Sequence, residues 1–182
     1  MNLKKIIYLI ILPTLLLISS CAKDSNFVEY LNTQIYQCNF EDSNGDNNIW
    51  QDTPYDDESF GGSGSSIMYR GNYNRNADDW AFTPNKEIYL EAYKVYSLSF
   101  YTKCSDNYYS ERIEVKCGQS HTSSSMLIDI MDATVISSES WDKYTNSFSV
   151  MHSGYYYIGF HAISYANKRE LYVDNIKITA IN

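Results

Sequence analysis

The residues best suited to chemistry in this chain are hard oxygen donors, and the chemistry they suit is the binding of a divalent cation. The closing stretch RELYVDNIKITA, residues 169–180, reads as a strand with Tyr172, Asp174, Ile176 and Ile178 on one face. Leu171, Val173, Asn175 and Lys177 share the other. The first face reads as buried and carries a carboxylate, so a cation must lie beside Asp174 unless the strand ends before it. A long polar stretch near the start, EDSNGDNNIWQDTPYDDESFGGSGSS, is rich in Asp, Asn, Gly and Ser. Loops of this length are usually functional or stiffened by a cation. Within it, DSNGDNN offers side-chain oxygens at alternating positions. Its glycine falls too early for an EF-hand and no Glu follows at the twelfth position, so a plain turn-rich loop is the competing reading. Asp78 and Asp79, just before Trp80, form a second acidic pair. In a strand the two point to opposite faces, so only one can serve as a ligand.

Catalytic sets are missing. His121, His152 and His161 are not spaced as a metal pair and lie in no HExxH segment, and His161 reads as a surface or edge histidine. GGSGSS, residues 61–66, lacks the strand, turn and helix of a nucleophile elbow. The carboxylates of YDDES have no apolar pocket to raise a pKa. The chain reads as no enzyme, with no small-molecule substrate.

The elements that must position these residues are strands. QIYQCNFE, SIMYR, WAFTP, KVYSLSFYTK, ERIEVKCG, KYTNSFSV and GYYYIGFHAIS alternate apolar and polar residues or end at strand-edge signals, and no window sustains a helical period. Short strands at such intervals predict an all-β sandwich or barrel. The 18 tyrosines suit half-exposed pleats. Cys104 and Cys117 are expected on adjacent strands of one hairpin turning near Ser105 to Asn107, with Cys104 facing a residue near Arg112. That spacing favours buried thiols at Cys38, Cys104 and Cys117 over a bridge between the last two.

The first 20 residues read as an export signal, with Lys4 and Lys5 before an apolar run from Ile6 to Ile18 and small residues at Ser19 and Ser20. A membrane span needs about 20 apolar residues, and polar sequence begins directly after Ser20. Residues 21–33 form a polar tether and 34–182 a single domain. Removing 1–20 takes away two lysines and no acid, moving the formal charge from -8 to -10. So acidic a domain argues against nucleic acid and anionic lipid headgroups as partners and suits one that holds divalent cations.

Ile18-Ser19-Ser20-Cys21 resembles the bacterial lipobox, which implies acylation of Cys21 and, with Ala22 following, tethering to the outer membrane. Lys23-Asp24 resembles the acidic surface-export signals of Bacteroidota lipoproteins. NFEDS with a downstream Trp50, then ADDWAFTP, YSLSFYTK, ERIEVKCG, SGYYYIGFHAIS and LYVDNIKIT, together resemble the cleaved-adhesin or choice-of-anchor J domains of Bacteroidota secreted proteins, over residues 35–180. The resemblance implies an antiparallel jelly-roll β-sandwich, similar to galactose-binding-like carbohydrate-binding modules, with structural Ca2+. It places Glu41 and Asp174 as ligands from the two ends of the chain; Asp78, from the acidic pair before Trp80, is a further candidate on its residue type alone. The alternative for Asp174 is a bulge capped through backbone hydrogen bonds.

The expected role is a surface-exposed, lipid-anchored binding module for a host glycan or protein. Trp50, Trp80, Tyr108, Tyr109 and Trp141 are available for stacking, and Trp50 and the Tyr108-Tyr109 pair are favoured. The alternative is an accessory structural subunit of a surface complex.

Overall fold

A computed structural model describes residues 32–38, 61–62, 66–83 and 88–181. Its strands are β1 (Asn32–Cys38), β2 (Gly61–Gly62), β3 (Ile67–Arg70), β4 (Asp79–Phe82), β5 (Ile88–Leu90), β6 (Val95–Cys104), β7 (Glu111–Gly118), β8 (Met126–Ile136), β9 (Asp142–Ser149), β10 (Gly154–Ala162) and β11 (Glu170–Ile181). Two antiparallel sheets form a sandwich. The six-stranded sheet runs β2-β3-β11-β6-β9, with β1 also on β11, and the five-stranded sheet runs β4-β10-β7-β8, with β5 also on β10. The chain is all-β, as its alternating pattern predicts.

The inward residues of each strand close one core. Tyr96, Leu98 and Phe100 of β6 and Ile176, Ile178 and Ala180 of β11 meet Ile113 and Val115 of β7 and Ile158 and Phe160 of β10. Each large apolar side chain so buried contributes about 1.5–3 kcal/mol. Two polar groups in the layer are bonded. The Tyr96 hydroxyl accepts from the Glu91 amide at 2.7 Å, and Thr102 donates to the Tyr172 carbonyl at 2.7 Å.

Two local expectations are corrected and one strand is added. First, β6 and β7 do not form a hairpin, because they belong to opposite sheets: β6 is flanked by β11 and β9, and β7 by β10 and β8. The connection crosses the sandwich through a 3-10 turn at Asn107–Tyr109, capped by Asp106, whose Oδ1 accepts from the Tyr108 amide at 2.8 Å. Cys38, Cys104 and Cys117 are all free and buried.

Second, β11 does not keep one face throughout. Leu171 and Val173 point into the core, then the register shifts between Asp174 and Lys177, and Ile176, Ile178 and Ala180 take over the inward positions. Asn175 sits at φ 51 to make the bulge, which is a conformation Asn tolerates. The Asp174 Oδ1 accepts from the Asn175 amide at 2.6 Å. The bulge falls where β11 changes partner on one edge, from β3 at 170–173 to β1 at 176–181. Third, β8 was not anticipated. MLIDIMDATVI lacks a clean period because its pairing with β7 is interrupted three times by register shifts.

Candidate functional site

One end of the sandwich gathers four connections. β3, β6, β8 and β10 end there, and β4, β7, β9 and β11 begin there, so residues 71–78, 105–110, 137–141 and 163–169 lie together. Backbone bonds lock them. Gly71 donates to the Arg169 carbonyl at 2.7 Å, Asn167 to Asn72 at 2.9 Å, Ala77 to Ser164 at 2.8 Å and Cys104 to Ser138 at 2.9 Å. Side chains add to the lock. Asn76 Oδ1 accepts from the Ala166 amide at 2.9 Å and Glu139 Oε1 from the Asn107 amide at 3.1 Å. Gly71 has to be glycine here, since a Cβ would stand 2.8 Å from the Lys168 backbone.

This rigid end displays aromatic rings. Tyr108 is 80% exposed, Tyr73 74% and Tyr165 60%. Tyr108 stands edge-on to Tyr109 at 5.0 Å, and the Arg169 guanidinium lies 5.0 Å over the Tyr109 ring. Arg112 lies 5.4 Å over Tyr165, and Lys103 sits 4.8 Å over Trp141. Beneath the loops, Glu111 is fully buried. Its Oε1 accepts from the Arg169 amide at 2.6 Å. Burial pushes its carboxyl above the usual range, against the opposing pull of the Ser164 hydroxyl and the Arg169 amide.

The outer face of the five-stranded sheet is built differently. Cross-strand register sets Trp80, His161 and Glu114 in one row and Phe82, Gly159 and Lys116 in the next. Trp80 lies flat over the space that Gly159 leaves open, where a Cβ would be 2.9 Å from the indole. It stacks on His161 at 4.0 Å and is only 5% exposed. Phe82, Met126 and Tyr157 complete this buried layer. His161 is clamped by carboxylates on both nitrogens, with Asp78 at 2.7 Å from Nε2 and Glu114 at 2.8 Å from Nδ1. Both ring nitrogens are thereby engaged. Lys116 continues the chain, 3.5 Å from Glu114 and 3.2 Å from Asp129. Burial works against its charge, but the two carboxylates outweigh that and hold the ammonium above the usual lysine range.

The opposite end carries a cleft of about 330 Å³, lined by residues that include Leu127, Ile128, Met151, His152 and Tyr156. Cys117 at its floor is no nucleophile, because burial pushes its thiol up to about 12.

The expected site residues are therefore scattered. Tyr108 and Tyr109 stand on the loop end, Tyr108 exposed as expected and Tyr109 half-buried under Arg169. Trp80, counted as available for stacking, is not available. Asp78 engages His161 beside the five-stranded sheet, whereas Asp174 belongs to the six-stranded one. Cys21, Glu41 and Trp50 lie outside the described residues, among which no group of three or more His, Cys, Asp or Glu is placed to hold a metal. Tyr73 and Tyr165 were missed, though each sits in a turn-forming context, GNYNRN and SYANKR.

No protein-family model and no curated protein sequence matches the chain. Solved structures do. The K3 cleaved adhesin domain of Lys-gingipain from Porphyromonas gingivalis superposes with a TM-score of 0.62 at 16% identity, over 81% of this chain and 98% of that one. The K1 cleaved adhesin domain of the same protein gives 0.62 at 17% identity, over 82% and 99%. The CBM22-1 xylan-binding domain of Paenibacillus barcinonensis Xyn10C gives 0.60 at 12% identity, over 84% and 97%. At such identities the likeness is one of fold, and in fold this chain is a cleaved-adhesin-like jelly-roll β-sandwich.

Proposed function

We propose that the protein is a non-catalytic binding module that engages a glycan or protein ligand through the loop end of the sandwich. The observation that carries the reading is the set of exposed rings on Tyr73, Tyr108 and Tyr165, held on three of the four connections that hydrogen bonds tie together at this end. Rigid exposed aromatics supply contact area at little entropic cost. That structural neighbours include an adhesin domain and a xylan-binding domain supports the same class of role. The test is a glycan array with a panel of host extracellular proteins, probed with the wild type and a Tyr108→Ala/Tyr165→Ala variant. Ligand signals that vanish in the variant support the reading, and signals that survive it unchanged refute it.

The same proposal anchors the module to the outer membrane through acylated Cys21, facing outward. Labelling with an alkyne-tagged fatty acid should mark the wild type and spare Cys21→Ser, and protease added to intact cells should digest the domain. A calcium ion held by Asp174 and Glu41 would clamp the first and last strands where β11 bulges. Asp174 suits such a role as a buried carboxylate at a break in the ladder. If so, a chelator lowers the unfolding temperature of the wild type and leaves Asp174→Asn unmoved. A wild type insensitive to chelator removes calcium from the account.

A further inference from the structure

We propose that the loop end takes a polysaccharide whose sugars carry carboxylates, a polymer of uronic acids, in preference to a neutral glycan. The inference rests on the reading of that end as the binding surface. It starts from a contrast in charge: the chain carries a formal charge of -8, yet all four of its arginines converge on this end. Arg70 closes β3, Arg75 lies in the 71–78 connection, Arg112 opens β7 and Arg169 lies in the 163–169 connection. They are distant in sequence and only the topology brings them together. The acidic character of the chain as a whole therefore does not describe this surface.

Most acids at the same end are engaged within the protein, Asp78 by His161 among them, while Asp142 at the start of β9 is exposed. Glu170 pairs with Arg70 at 3.6 Å and accepts from the Ser105 hydroxyl at 2.6 Å. Asp106 caps the turn below Tyr108, Glu139 accepts from the Asn107 amide, and Glu111 is buried on the Arg169 amide. The guanidinium is the side chain that meets a carboxylate with two parallel hydrogen bonds, and here it is preorganised by stacking. The arrangement recurs, as Arg112 on Tyr165 and Arg169 on Tyr109. A repeated pair of ring and guanidinium fits a ligand whose units each present a flat C–H face and a carboxylate, which describes a uronic sugar. An acidic peptide fits less well, since extended peptides pair along an open sheet edge and these connections lie between strands.

The experiment measures binding of the full chain to polygalacturonate, to the same polymer after carboxyl reduction, and to poly-glutamate. It uses the wild type, Arg112→Gln/Arg169→Gln, Tyr108→Ala/Tyr165→Ala and, as a distant charge control, Lys177→Gln. The expected result is that polygalacturonate binds, that carboxyl reduction or loss of the two arginines weakens binding by about tenfold or more, and that Lys177→Gln changes nothing. Equal, tyrosine-dependent binding of the reduced polymer overturns the preference for charge and leaves the binding surface standing. Binding of neither polymer in any variant overturns the glycan ligand, and poly-glutamate bound more tightly than polygalacturonate reassigns the end to acidic peptides. A loss with Lys177→Gln as large as that with the arginines reduces the effect to nonspecific attraction and overturns the site.

Discussion

Among the described residues, the outer face of the five-stranded sheet and the loop end are both rich in aromatic side chains and use them in opposite ways. On the outer face of the five-stranded sheet, Trp80, Phe82 and Tyr157 are buried against one another, with Trp80 laid over Gly159 and His161. On the loop end, Tyr73, Tyr108 and Tyr165 stand in solvent on connections tied together by backbone hydrogen bonds. The strand aromatics fill a gap their neighbours leave, and so they hold the sheet together. The loop aromatics have no such gap to fill, and holding them extended costs the fold little. Residue type alone does not separate the two; register and backbone setting do.

That comparison can be broken most easily at Trp80. Trp80→Ala removes the ring that caps the sheet and is expected to cost about 3–5 kcal/mol, or roughly 10 °C in melting temperature, by calorimetry. Gly159→Ala probes the same contact from below. The new methyl meets the indole at 2.9 Å and should cost about 1–3 kcal/mol, with the tryptophan emission spectrum shifting as the ring is displaced.

Glu111 separates stability from surface at the other end. Its carboxyl is raised above the usual range by burial, so the folded chain holds that proton more tightly than the unfolded chain. Its contribution to stability is greatest below the ordinary carboxylate range and is lost as pH rises through the raised value. Glu111→Gln keeps an oxygen for the Arg169 amide and has no charge to desolvate. It should be the more stable protein at neutral pH, by on the order of 1 kcal/mol, and the advantage should shrink in acid denaturation curves near pH 4. Smallest in stability is the double change Tyr108→Ala/Tyr165→Ala. It should shift unfolding by no more than about 0.5 kcal/mol while abolishing ligand binding, a split that Trp80→Ala cannot reproduce.

Much of the sandwich was legible in the sequence. β6 and β7 alternate cleanly because each has one face on the core, whereas β10 is buried on both faces over Tyr156 to Phe160, and a turn near Ser105 to Asn107 was expected although its hairpin was not found. What escaped depends on register or on long-range topology. β8 hides its period behind bulges, and Asn175 flips the face of β11 in the middle of an unbroken pattern. Trp80 looked available because nothing local announces that Gly159 lies beneath it. The convergence of Arg70, Arg75, Arg112 and Arg169 could not be read at all, since positions so far apart meet only once the strands are ordered.

The loop end, and not the sheet face, is the proposed ligand surface. Hydroxyl-radical footprinting of the full chain with and without polygalacturonate tests it most directly, by comparing oxidation at each aromatic residue. Tyr73, Tyr108 and Tyr165 should be readily oxidised in the free protein and protected in the complex, while Trp80 and Tyr157 stay unreactive throughout. Protection confined to the sheet face, or a Trp80 that oxidises as readily as Tyr108 in the free protein, would contradict it.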